Sequence, residues 1–111
     1  MSRIPHLGEF EQIVLLAILR LGDDAYAVAI RDEIRSRTGR STAPGALYTT
    51  LDRLEQKGLV SSRLGEPTHE RGGRAKRYYT VSAAGTAALK RAQRSFQSLL
   101  EGLRIFEKKH A

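Results

Sequence analysis

Four cations crowd one short stretch of this 111-residue chain. Arg71, Arg74, Lys76 and Arg77 fall within seven residues, around Gly72 and Gly73. A cationic hairpin tip of this kind can follow a phosphate backbone or enter a minor groove. The plainer alternative is a solvated hairpin kept soluble by its charge. A second set, Thr42, Gly45, Thr49, Arg53 and Gln56, recurs at intervals of three or four residues and so shares one side of a helix. That side carries no large apolar group, which would let the helix approach base edges closely. Small residues also begin helices well, and the spacing leaves the two readings open. Tyr48 borders this side, where its ring can pack while its hydroxyl reaches a phosphate.

Other chemistries find little support. The chain has no Cys, so disulfides, thiolate zinc sites and a thiol nucleophile are excluded. His6, His69 and His110 are far apart and form no spaced ligand motif. Glu66, His69 and Glu70 sit in a turn-rich loop with no converging ligand. The expectation is therefore no catalytic residue, no metal and no cofactor: the chain is not an enzyme. Nineteen Lys and Arg against twelve Asp and Glu give a net charge of +7 and a pI near 10.2. The charge rises from −2 over residues 1–30 to +4 over residues 82–111. An anionic partner is implied. No apolar run approaches the roughly 20 residues of a membrane span, and Met1 to His6 lack the apolar centre of a signal peptide. These features predict a cytoplasmic, nucleoid-associated protein without membrane contact.

The candidate residues need elements to position them. Over residues 9–21, Phe10, Ile13, Val14, Ala17, Ile18 and Leu21 follow the spacing of one helical face. Leu15, Leu16 and Leu19 lie off that face, so the helix is apolar over most of its circumference and needs cover on two sides. A second subunit is the natural cover, with Leu15 and Leu19 as contacts. Gly22 ends this helix, and Asp23 or Asp24 caps a second one over about residues 25–38, buried through Tyr26, Ala27, Ile30 and Ile34. Gly39 follows. Ser41 or Thr42 then caps a third helix with Pro44 in its first turn. Leu47, Leu51 and Leu54 point inward, and Lys57-Gly58 closes the helix.

Strands are predicted at residues 59–64 and 74–81, joined by a nine-residue loop. Arg77 shares a strand face with Tyr79 and Val81, which ties it to the body and leaves Arg71, Arg74 and Lys76 to meet phosphate. A two-stranded ribbon must lean on the helices. Ser82 caps a last helix in which Leu89, Ala92, Phe96, Leu99, Leu103 and Phe106 are spaced 3, 4, 3, 4, 3. That heptad seam predicts a homodimer built on residues 83–108, with Gly102 as a weak point. Dimer core is the preferred role for Phe96 and Phe106 over an effector pocket.

The order helix, helix, helix, strand, loop, strand predicts a mainly α fold with a small β-hairpin. This is a winged helix-turn-helix over residues 1–81, continuous with a C-terminal dimerisation helix over residues 82–111. The run Ala43-Pro44-Gly45-Ala46-Leu47-Tyr48-Thr49-Thr50-Leu51-Asp52-Arg53-Leu54-Glu55-Gln56-Lys57-Gly58-Leu59-Val60 resembles the signature of PadR-type transcriptional regulators. The resemblance extends to Gly73 through Ser82, to Gly85, and to Leu7-Gly8-Glu9-Phe10-Glu11. It covers roughly residues 7–90.

The resemblance implies a short-form bacterial repressor that binds double-stranded DNA as a homodimer. It would act on an inverted repeat, with the third helix in the major groove and half-sites roughly 34 Å apart. On this basis Thr42, Gly45, Tyr48, Thr49, Arg53, Arg71, Arg74 and Lys76 are the expected DNA contacts. A small-molecule effector that changes the dimer angle fits the same scheme. Two departures stand out. Ala27-Val28 replaces the Gly-Tyr usual in the family, and the chain has no Trp, whereas many members place one in the last helix beside a ligand pocket. The rival reading is a winged helix used as a protein- or RNA-interaction module.

Overall fold

The computed structural model describes residues 6–66 and 75–106. Its elements are α1 (Glu9–Leu21), a short 3-10 turn (Gly22–Asp24), α2 (Ala27–Thr38), α3 (Pro44–Gln56), β1 (Val60–Leu64), β2 (Arg77–Val81) and α4 (Ala83–Leu100), with a last 3-10 turn at Arg104–Phe106. The expected fold class is observed: four helices and a two-stranded antiparallel hairpin, in winged helix-turn-helix order.

The core joins all of the first three helices. Val14, Leu15 and Ile18 of α1, Ile30 and Ile34 of α2, and Leu47, Leu51 and Leu54 of α3 are almost wholly shielded from solvent. Leu15 is the correction here. It was expected off the buried stripe and in contact with a second subunit, yet it is 0% exposed inside its own chain. The buried arc of α1 is wider than a single stripe because α2, α3 and the hairpin all pack around it. Leu16 and Leu19 are left at about half exposure.

Two helix starts differ from expectation. Asp23 and Asp24 form the 3-10 turn, and Tyr26 precedes α2 in extended conformation without a side-chain cap. Ala43 precedes α3, also extended, as the residue before a proline prefers. Neither Ser41 nor Thr42 caps that helix. Ser82 does cap α4, accepting from the Gly85 N–H at 3.0 Å. The end of α3 follows the Schellman pattern at Lys57-Gly58: Leu59 N–H donates to Leu54 and Gly58 N–H to Glu55. Gly58 takes the left-handed φ of +76° that this closure requires.

The hairpin pairs Val60 with Val81 through Leu64 with Arg77. It does lean on the helices. Tyr79 is buried, and the outer edge of β2 is covered by the segment before α2, through the Tyr79 N–H to Ala25 carbonyl bond of 2.8 Å and the Tyr26–Tyr78 bridge. Gly85, in the first turn of α4, lies so close to the hairpin that a Cβ there would collide with the Leu59 carbonyl oxygen. The last helix is shorter than its heptad pattern. It ends at Leu100, and Gly102 turns the chain at a φ of +80°, so Leu103 and Phe106 are not on the α4 seam.

Candidate nucleic-acid interface

The helix α3 is sorted cleanly into two sides. Leu47, Leu51 and Leu54 are fully buried, while Gly45, Tyr48, Thr49 and Arg53 face solvent. Thr50 joins the buried side, where its hydroxyl donates back to the Ala46 carbonyl at 2.9 Å. Gly45 stands on open ground: beyond its chain neighbours and its own helix backbone, nothing among the described residues lies near the space a Cβ would fill. Arg53 forms no ion pair among the described residues. Thr42 is placed differently from the others. It is half-buried, and its hydroxyl oxygen is shielded and lacks a hydrogen-bond partner among the described residues. Its carbonyl accepts from Arg31 Nε at 3.0 Å. Thr42 therefore helps anchor the turn between α2 and α3, and its hydroxyl does not lie open on the solvent-facing side of α3.

Side chains distant in sequence brace this helix. Arg31 holds the turn from α2. Arg40, in the same turn, pairs with Glu9 at 3.0 Å and lies over the Phe10 ring. At the far end Lys57 pairs with Glu11 at 2.8 Å. Burial pushes the Glu11 carboxyl up, but the bonds from Lys57 and the Gly8 N–H, with the charges of Lys57 and Arg53, outweigh it and hold its pKa below the usual 4.5. None of these separations has a local sequence signal. The pairs are 11, 31 and 46 residues apart.

The hairpin is tied to α3 by polar contacts and to the segment before α2 by the Tyr79–Ala25 backbone bond. Arg77 donates to Ser62 Oγ at 3.0 Å, and Ser62 donates to Glu55 of α3 at 2.8 Å. Arg77 is thus bound to the body, as its strand parity suggests. Burial raises the Tyr79 phenol above its ordinary pKa of 10.0. The Arg77 charge opposes this, while Asp52, Glu55 and Tyr48 reinforce it. The other strand face carries a cation–aromatic cluster. Lys76 Nζ sits 4.2 Å from the centre of the Tyr26 ring, Arg63 lies over Tyr78 at 4.9 Å, and the two rings meet edge to face. Lys76 was expected to be free of the body, and this contact corrects that reading. Strand parity alone could not show it, because Tyr26 belongs to another element. Arg71 and Arg74 lie outside the described residues.

These features are those of a helix-turn-helix with a braced second helix and an attached wing. The Transcriptional regulator PadR-like family matches residues 15–91. This chain belongs to that family. It is 42% identical over 64 residues to Transcriptional regulator Rv3488 of Mycobacterium tuberculosis, a match covering 58% of this chain and 56% of that regulator. The chain thus spans little more than half of that relative's length. Two solved structures at 25% identity superpose well. A PadR family transcription regulator from Clostridium difficile gives a TM-score of 0.69, covering 87% of this chain and 97% of that one. A transcriptional regulator from Clostridium thermocellum gives 0.68, covering 88% and 92%.

In this PadR-like regulator a second face is exposed and apolar. Phe96 and Leu99 of α4 are 63% and 78% exposed, with Leu103 beyond the helix at 48% and Leu19 of α1 at 49%. Leu89 and Ala92 are half-buried. The Phe106 side chain lies outside the described residues. Leu16, which the sequence reading did not assign as a contact, belongs to the same region. Between α1 and the middle of α4 lies a cavity of about 730 Å³, bounded by Gly8, Gln12, Leu16, Ala92, Ser95 and Phe96 among others. Among the described residues no helix is long and apolar enough to cross a membrane, and no acidic and histidine cluster could hold a metal ion.

Proposed function

We propose that this PadR-like regulator is a homodimeric repressor that inserts α3 into the major groove of a pseudo-palindromic operator. The observation that carries the reading is the solvent-facing side of α3. Gly45 and Thr49 present almost no bulk, Tyr48 and Arg53 flank them, and the opposite side is locked by three buried leucines. A helix so arranged can come close to base edges while its neighbours meet phosphate. The hairpin supplies further cations, the aromatic-backed Lys76 and Arg63, and the sequence adds Arg71 and Arg74 to the loop between its strands. Leu19, Leu89, Ala92, Phe96 and Leu99, joined by Leu16, supply the dimer contact. Burying that apolar face in one subunit against the other takes the exposed side chains of Leu16, Leu19, Phe96 and Leu99 out of water. The α1–α4 cavity gives a small-molecule effector a place to act.

Selection of duplexes from a random-sequence library, followed by anisotropy at several salt concentrations, tests this reading. The expected result is an inverted repeat with half-sites roughly 34 Å apart and a steep decline of affinity with salt. Preference for single-stranded RNA, or no enrichment of any duplex, overturns it.

A further inference from the structure

The first turn of α1 lies between two features that are remote in sequence. On one side it forms a wall of the α1–α4 cavity, through Leu7, Gly8, Glu9 and Gln12. On the other side it holds both ends of α3. Glu9 pairs with Arg40 in the turn that leads into α3, and Glu11 pairs with Lys57, which closes α3.

Glu11 carries the stronger connection. It is 7% exposed, and its two oxygens have different partners. Oε1 accepts from the Gly8 N–H at 2.9 Å, and Oε2 accepts from Lys57 Nζ at 2.8 Å. One shielded carboxylate therefore joins the cavity wall to the last turn of the recognition helix. It cannot follow a displaced Gly8 without moving Lys57 or giving up a partner. Giving one up would leave a shielded charge poorly compensated, which is strongly unfavourable. The Glu9–Arg40 pair is exposed, and water can replace either partner there.

We propose that Glu11 is a positioning residue for α3, through which the filling of the α1–α4 cavity shifts the recognition helix. This rests on α3 being the DNA-reading helix and describes how that helix is regulated. A group entering the cavity pushes the Gly8 turn. Glu11 carries the displacement to Lys57, and α3 changes its position relative to the wing. Arg31 holds the opposite end of α3 and acts as the pivot.

The cavity can be filled from within. Ala92→Trp places an indole there from α4, and Ser95→Trp does so from a lining position outside the proposed dimer seam. Hydrogen exchange of amides 45–57 and affinity for a selected duplex are measured for each filler, alone and combined with Glu11→Gln or Lys57→Gln. The Gln at position 11 keeps an oxygen for the Gly8 N–H and removes the charge that holds Lys57. At least one filler is expected to alter α3 exchange and to change duplex affinity at least about fivefold, the lower end of ordinary coupling. Both responses should shrink to within about twofold in either Gln background. Unchanged α3 exchange with both fillers, or equal responses with and without Glu11→Gln, overturns the proposal. The exchange measurement needs no DNA. A wild type that binds no duplex therefore refutes the DNA reading, and exchange alone still decides the coupling.

Discussion

Gly45→Ala separates what a residue does for the fold from what it does for recognition. Gly45 is the second residue of α3, is exposed, and has ordinary helical backbone; its φ is not positive. Beyond its chain neighbours and its own helix backbone, nothing among the described residues lies within 4 Å of the Cβ that alanine would add. The substitution therefore meets no steric penalty. It lowers the conformational freedom of the unfolded chain, a gain of about 0.4–1 kcal/mol. For a domain of this size that raises the melting temperature by roughly 2–8 °C. On DNA the same methyl projects from the side of α3 proposed to face base edges. A misfit at one position of a specific complex costs about 1–3 kcal/mol. Operator affinity should fall by roughly 5- to 150-fold, with a smaller effect on random duplex. Differential scanning fluorimetry and anisotropy titration read the two quantities on one preparation. A more stable protein that binds the operator as tightly as wild type would refute the groove assignment. A less stable one would refute the reading of open space around Gly45.

Gly85→Ala should do the reverse. Its Cβ would meet the Leu59 carbonyl and come within 2.8 Å of Val81 Cγ1, so overpacking of about 1–3 kcal/mol outweighs the helix-propensity gain of about 1 kcal/mol or less; a melting temperature at or above wild type would contradict this. Phe96→Asp with Leu99→Asp should give soluble, folded monomers in sedimentation, since both positions are open to water in the single chain; a dimer that persists, or a wild type that is monomeric at tens of micromolar, counts against the seam. Arg71→Ala with Arg74→Ala should make the salt dependence of operator binding shallower by about 0.9 per lost phosphate contact, up to roughly four per dimer, with a smaller step on adding Lys76→Ala; an unchanged slope means that the wing does not touch the backbone. Glu11 titrates below its ordinary value, so the stability it contributes is complete above the unfolded pKa of about 4.5 and fades as acid passes through the folded value. Glu11→Gln should therefore lower stability near neutral pH and flatten the loss below about pH 5, as seen in urea melts at stepped pH.

The residues that sequence placed well are those whose role depends on local periodicity. Leu47, Leu51 and Leu54 repeat with the helix period and are buried, so the opposite side of α3 is legible in the sequence itself. Ser82 and Lys57-Gly58 mark helix ends by chemistry that acts over a few residues. Leu15 was misplaced for the complementary reason. A stripe rule allots one buried face, but α1 is central and is packed from several directions. How wide its buried arc becomes depends on elements that periodicity within α1 does not contain. Thr42 and Lys76 follow the same logic. Each looks open by its own spacing, and each is taken up by a partner from α2 or its approach: Arg31 at the Thr42 carbonyl, Tyr26 beneath the Lys76 ammonium. The seam of α4 also outran its helix, because the 3-4 spacing continues past Gly102 while the backbone turns there. The readable part of the proposed DNA face is therefore the helix that would carry it. The braces at Glu9, Glu11, Arg31 and Arg40 become visible only when the chain is folded, and they determine where that helix stands.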